Sequence, residues 1–162
     1  MNSKQVALVS GASRGIGAAT AHELGRLGYH VIVNYLSDAE SAELVVEQIG
    51  AAQAIQADVT DEAQVTALVD RVVGEHGRID VLVGNAHTAA PPYGPLEHVP
   101  WEAFTAKMSS ELAGIYHLTR RVLPVMRRRR SGRIVYVSAT ARTSSPGPPS
   151  SPLPTSPTPS CT

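Results

Sequence analysis

A short β-prone run, Gln5–Ser10 (QVALVS), passes directly into Ser10-Gly11-Ala12-Ser13-Arg14-Gly15-Ile16-Gly17 and then into a stretch of helix formers. Glycines spaced GxxxGxG at a strand-to-helix junction leave few folds open. Gly11 lets the chain turn sharply out of the strand. Gly15 leaves room for a phosphate to approach the backbone, and Gly17 lets the helix pack closely on the sheet. The helix N-terminus then offers free N–H groups and a partial positive charge to a pyrophosphate. The competing reading is an ordinary glycine-rich turn. Three glycines at this spacing, opening a βαβ unit near the N-terminus, favour the phosphate site.

The rest of the chain repeats the strand–helix alternation. Residues 15–27 read as a helix with Ile16, Ala19, Leu24 and Leu27 at helical spacing, and Gly28 at its C-terminal cap. His30–Tyr35 is the second strand. Ser37 or Asp38 caps a second helix that reaches Ile49 and stops at Gly50. Ala54–Asp58 is a third, weaker strand. Thr60 or Asp61 caps a third helix, Glu62–Glu75, with Val65, Leu68, Val69 and Val72 on one face. Ile79–Val83 is a fourth strand. Trp101–Arg130 is helical, with a kink or local break expected at Pro124, and Arg133–Ser138 is a fifth strand. Strands that are continuously apolar have both faces covered. Strands separated by helices pair in parallel through right-handed crossovers. The expected fold is a doubly wound α/β parallel sheet of about five strands in the order 3-2-1-4-5.

Composition sets the limits of that unit. Residues 143–162 hold seven Pro, six Ser and four Thr, with no charge and no aromatic residue. Such a tail has little to bury and is expected to be disordered or polyproline-like, leaving residues 1–142 as the folding domain. A polyproline ligand for an SH3-like partner is the functional alternative for the tail, though no flanking charge would orient it. Fourteen Lys+Arg balance fourteen Asp+Glu. Zero net charge argues against bulk binding to nucleic acid or an anionic membrane. The apolar runs are far short of the ~20 residues that span a bilayer, and no signal-peptide core is present. The single cysteine, Cys161, permits no internal disulfide. These features read as a cytoplasmic protein.

The glycine loop, with the motifs that follow it, resembles the short-chain dehydrogenase/reductase family over about residues 4–142, and within it the 3-oxoacyl-ACP reductase type. Asp58-Val59 matches the Asp-Val after strand three, whose carboxylate contacts adenine in the family. Gly84-Asn85-Ala86 is similar to the Asn-Asn-Ala-Gly motif after strand four, and Gly132-Arg133-Ile134-Val135 to the lead-in to strand five. The resemblance implies a Rossmann-like domain. Its dinucleotide would be held by Gly11, Ser13, Arg14, Gly15, Ile16, Gly17, Asn34, Tyr35, Asp58, Val59, Asn85 and Ala86. It also implies a carbonyl or alcohol substrate. An acidic residue at the end of strand two would bind the ribose 2′-OH of NAD and repel the 2′-phosphate of NADP. That position is Tyr35, flanked by Asn34 and Leu36, and Arg14 is placed to pair with a 2′-phosphate. The expected cofactor is NADP(H) rather than NAD(H).

The family's acid/base is a Tyr with a Lys four residues later. Only Lys4 and Lys107 occur here, and neither follows a Tyr at that spacing. The family's Ser position falls on Ala139, beside Ser138 and Thr140, and its helix Asn position on Glu111. Ser138 and Glu111 are the candidate catalytic residues that remain, with a solvated helix-surface carboxylate as the alternative for Glu111. The tail stands where the family supplies its Tyr and Lys. Its composition is what an out-of-frame reading of GC-rich DNA gives, so a truncated or frame-shifted member is expected. His87 sits near the expected cofactor mouth and competes with a plain loop histidine. Arg127–Arg130 is read as a solvated helix end. Tyr136 lacks a cation four residues on, and the histidines show no metal-ligand spacing. Three readings follow. The first is an NADP(H)-dependent oxidoreductase, and the second a catalytically inactive nucleotide-binding fragment. The third, implied by the resemblance alone, is an interaction module in which the helix at 101–130 makes a homo-oligomer.

Overall fold

A computed structural model describes residues 4–87 and 95–138. Five strands, β1 (Val6–Val9), β2 (His30–Tyr35), β3 (Ala52–Gln56), β4 (Val81–Gly84) and β5 (Arg133–Tyr136), form one sheet. Its order is β3-β2-β1-β4-β5 and every pairing is parallel. The helices are α1 (Gly15–Arg26), α2 (Ala39–Ile49), α3 (Glu62–His76) and α4 (Trp101–Arg129), with a 3-10 turn at Leu96–His98. The expected doubly wound α/β sheet of Rossmann type is what forms.

Strand alternation explains the two layers. Val6 and Leu8 of β1 face the same way as Ile32 and Leu82, and there they meet Leu68, Val69 and Val72 of α3 and Leu118, Val122 and Val125 of α4. Ala7 and Val9 face the other way, with Val31, Val33 and Val83, and there they meet Ala21 of α1 and Ala42 and Val45 of α2. Both faces of β1 are thus buried, and its four residues are all inaccessible to solvent. The sheet begins to lose cover at β5, where Val135 and Tyr136 are exposed.

Local chemistry sets the helix ends. Asp38 caps α2 by accepting from the Ser41 N–H, and Asp61 caps α3 by accepting from the N–H groups of Ala63 and Gln64. Four expectations need adjustment. Strand β3 starts two residues early, because main-chain pairing of Ala52 and Gln53 with Val31 and Ile32 recruits a segment without strand character. Its far end stops at Gln56, since Asp58 turns back on Thr60. Strands β1, β4 and β5 are shorter than the apolar runs that mark them. Helix α4 runs on past Pro124 as helix, with no break at the proline. The tail at 143–162, and Ala139 and Thr140, lie outside the described residues.

Candidate functional site

The carboxyl ends of the neighbouring strands β1 and β4 mark the point where the strand order reverses, which is where open α/β sheets bind ligands. A cleft of about 430 Å³ opens there, lined by Gly11, Ser13, Arg14, Ile16, Asn34, Tyr35, Asp38, Asp58, Val59, Asn85, Ala86 and His87 among others. Ten of the twelve cofactor-binding candidates are therefore on one wall system. The other two, Gly15 and Gly17, shape the loop itself. Gly11 and Gly15 take positive φ angles of 61° and 58°, which side chains resist. A Cβ on Gly15 would project into open space. A Cβ on Gly17 would collide with the Gly11 carbonyl and the Asn85 side-chain amide. The tight approach at Gly17 is thus between helix and loop, rather than between helix and sheet as expected.

Helix α1 differs from its neighbours at its N-terminus. Arg14 is the N-cap residue and makes no side-chain capping bond, and the first turn carries no acidic residue. Helices α2 and α3 are both capped by aspartates. The N–H groups opening α1 are left for an anion.

Ser10 joins the glycine loop to the exit of β4. Its hydroxyl donates to the Val83 carbonyl at 3.2 Å and accepts from the N–H groups of Asn85 and Ala86 at 2.9 and 3.1 Å. The Asn85 amide returns two bonds, to the Ser10 and Gly11 carbonyls, both at 3.0 Å. Ser10 is a supporting residue that sequence reasoning passed over. Its only signal was a hydroxyl where β1 ends.

The β2 end of the cleft is more acidic than the sequence indicated. Asn34 is buried, and its amide donates to the Ile55 and Ala57 carbonyls, so it braces β3 against β2 and supplies the wall. Tyr35 is half-buried on the lining. Asp38 also lines the cleft, close enough to Arg14 to feel its charge. Its carboxyl lies below the ordinary carboxylate range, held there mainly by hydrogen bonding to Ser41 and further by Arg14. The residues at 34–36 carry no carboxylate, yet Asp38 brings one to the same wall. Asp58 Oδ1 accepts from the Thr60 N–H and hydroxyl, both at 2.8 Å, which fixes the Asp-Val turn.

At the opposite end stand His87 and Ser110. The His87 Nδ1 lies 3.3 Å from Glu111 Oε1, and the same oxygen pairs with the Lys107 ammonium. The Glu111 side chain is 27% exposed and that of Lys107 14%, so this carboxylate sits half-buried on the helix face and is ion-paired there. An α-helix places positions four apart on one face, and His87 closes over that face from the β4 loop. Ser138 is exposed beyond β5 and is not among the lining residues. The Tyr136 hydroxyl lies 2.6 Å from Thr119 Oγ1, whose own proton goes to the Ile115 carbonyl, so the phenol is the donor.

These residues fit a dinucleotide. An uncapped helix start and an open glycine cradle suit the pyrophosphate. Asp58 and the β2 end suit the adenosine, and the His87–Ser110 end remains for the nicotinamide, which supplies hydride chemistry when bound. Among the described residues, no group of three His, Cys, Asp or Glu could hold a metal ion, and no helix is long and apolar enough to cross a membrane.

Comparison with known proteins agrees with this geometry. Residues 5–149 match the short chain dehydrogenase family. A 3-oxoacyl-[acyl-carrier-protein] reductase, FabG, of Staphylococcus aureus is 38% identical over 143 residues, covering 86% of this chain and 57% of that protein. The short chain dehydrogenase/reductase AacuN of Aspergillus aculeatus is 40% identical over 139 residues, covering 83% of this chain and 51% of that one. The chain thus spans about half the length of the curated relatives it matches. A metagenomic short-chain oxidoreductase solved in complex with NADP superposes with a TM-score of 0.75 at 36% identity, over 85% of this chain and 63% of that one. With the glycine loop, the sheet order and the family match in agreement, the chain belongs to the short-chain dehydrogenase family.

Proposed function

We propose that this chain is an NADP(H)-dependent oxidoreductase that moves a hydride between the nicotinamide and a carbonyl/alcohol pair. The observation that carries the reading is the uncapped N-terminus of α1, opening into a cleft lined by the family's nucleotide-contacting positions. Preference for NADP(H) draws support from Arg14 on the glycine loop and from a non-acidic β2 end at Asn34, Tyr35 and Leu36. Asp38 works against it, so the expected preference is modest. The test is a fluorescence titration of the full chain with NADPH and NADH. Saturable binding that favours NADPH is expected. Binding of neither nucleotide overturns the reading.

A second reading is a nucleotide-binding module without turnover. It is favoured by one observation: neither Lys4 nor Lys107 follows a Tyr by four residues. NADPH binding with no carbonyl-dependent oxidation of the cofactor is the outcome that selects it. Self-association through α4 fits either reading. Trp101, Phe104, Met108, Leu112 and Tyr116 fall at helical spacing and are all exposed. Light scattering across a concentration series, with Leu112→Lys as comparison, tests it.

A further inference from the structure

The end of the cleft away from Asp58 holds a cluster of His87, Lys107 and Glu111, the last at the position that the family motif gives to an Asn. His87 lines the cleft, with its side chain 64% exposed, and its Nδ1 stands 3.3 Å from Glu111 Oε1. The Lys107 ammonium pairs with that same oxygen from one turn earlier on α4. A carboxylate beside one ring nitrogen sets the imidazole's tautomer. At this distance Glu111 is placed to accept a proton carried on Nδ1, which would leave Nε2 to exchange protons with a bound molecule. Lys107 holds the carboxylate in place through that ion pair. The same logic orients histidine in other hydrolytic and transfer sites, where a carboxylate holds the ring and the ring handles the proton.

We propose that His87 is a catalytic acid/base of this cleft and that Glu111 is its positioning residue. The proposal rests on the oxidoreductase reading and deepens it. In carbonyl reduction the reduced nicotinamide dinucleotide is the two-electron donor, and the carbonyl carbon gains a hydride. The protonated His87 breaks its Nε2–H bond, the electron pair stays on nitrogen, and the proton goes to the developing alkoxide oxygen. In the reverse direction, neutral His87 accepts the alcohol proton at Nε2.

Two measurements test it. The first needs no cofactor: nitrogen-15 NMR of the imidazoles in the full chain, with the His87 signal identified by its loss in His87→Gln. Above neutral pH, His87 is expected to carry its proton on Nδ1, the reverse of free histidine. Glu111→Leu is expected to return it to Nε2, and Glu111→Gln to keep it on Nδ1, since the amide oxygen still accepts. An Nε2–H tautomer in the native chain overturns the positioning role. The second is NADPH oxidation with a panel of reactive aldehydes and ketones. His87→Gln is expected to lower kcat by ~10²–10⁴-fold, as for loss of a positioned acid/base, with NADPH affinity unchanged. Native-like turnover in His87→Gln overturns the catalytic role, and so does NADPH binding without any turnover in the native chain. Failure to bind NADPH sinks the oxidoreductase reading itself, and the catalytic role falls with it.

Discussion

Ser10 and Asn85 lie 75 positions apart and hold each other across the switch point of the sheet, hydroxyl to main-chain N–H at 2.9 Å and side-chain amide to main-chain carbonyl at 3.0 Å. One serine oxygen thereby satisfies two N–H groups at the exit of β4 and fixes the glycine loop against them. Ser10→Ala leaves those donors without their acceptor, which costs about 1–3 kcal/mol. The expected outcome is a lower denaturant midpoint together with weaker NADPH binding, because the same bonds position the phosphate loop. Unfolding curves and a nucleotide titration on one preparation check both. Unchanged NADPH affinity in a stably folded variant would show that the clasp serves stability alone.

Arg14 and Asp38 face the same stretch of the cleft with opposite charge, and under the proposed reading the balance between them would set the cofactor preference. Arg14→Ala is expected to weaken NADPH binding more than NADH binding. Asp38→Ser keeps an oxygen to cap α2 and removes the charge. It is expected to widen the preference for NADPH, by up to about tenfold for each 1.4 kcal/mol of repulsion relieved. Equal changes for both nucleotides in either variant would place these residues away from the 2′-phosphate.

The fold was legible because four of the five strand runs carried a continuous apolar stretch, β3 being the exception, and helices α1 and α2 stopped at Gly28 and Gly50. Asp38 and Asp61 were readable as caps from position alone. What Asp38 also does was hidden, since a cap and a cleft carboxylate look the same in a sequence. The Ser10–Asn85 clasp and the His87–Glu111 approach were hidden for a different reason. Both join segments brought together only by parallel crossovers, and no local pattern records which loops then meet. Strand β3 was misplaced by two residues because its pairing with β2 outweighs the weak propensity of Ala52 and Gln53.

Asp80 ties the starts of three strands. Its carboxylate accepts two bonds from Arg78, both at 2.7 Å, and one from the Val6 N–H at 2.8 Å, while its carbonyl accepts from the Arg133 N–H at 2.8 Å. Burial alone would raise its pKa, but the bonds from Arg78 and Val6 outweigh it and hold the carboxyl below the ordinary value. A depressed folded pKa contributes stability that is present above the unfolded value of about 4 and lost as pH falls through the folded one. Asp80→Asn also removes the carboxylate charge that pairs with Arg78, whose side chain is 14% exposed. A loss of about 1–3 kcal/mol is expected from the weakened hydrogen bonds, with acid unfolding that no longer steepens below about pH 4. Urea midpoints across that range check it, and a loss under 1 kcal/mol would class the pair with ordinary surface bridges.

A second pH window comes from His30. It opens β2, and its ring centroid lies 4.4 Å from that of His76 at the end of α3. The Nε2 atoms of both are buried and have no hydrogen-bond partner among the described residues. Burial is the main reason that the His30 pKa lies below its ordinary value. His76 and Lys4 push the same way, and Glu75 opposes them. The unfolded chain therefore takes up this proton first as the solution is acidified. Neutral His30 contributes stability that is complete above the unfolded value of about 6.5 and is lost as pH falls from there through the folded value. The melting temperature of the native chain is expected to drop between about pH 7 and 5. His30→Gln cannot take the proton, so its curve is expected to be flatter over that interval, while the Asp80 window lower down is retained. Melting curves of the two chains at half-unit pH steps separate the effects. Parallel slopes between native and His30→Gln would show that another group governs this interval.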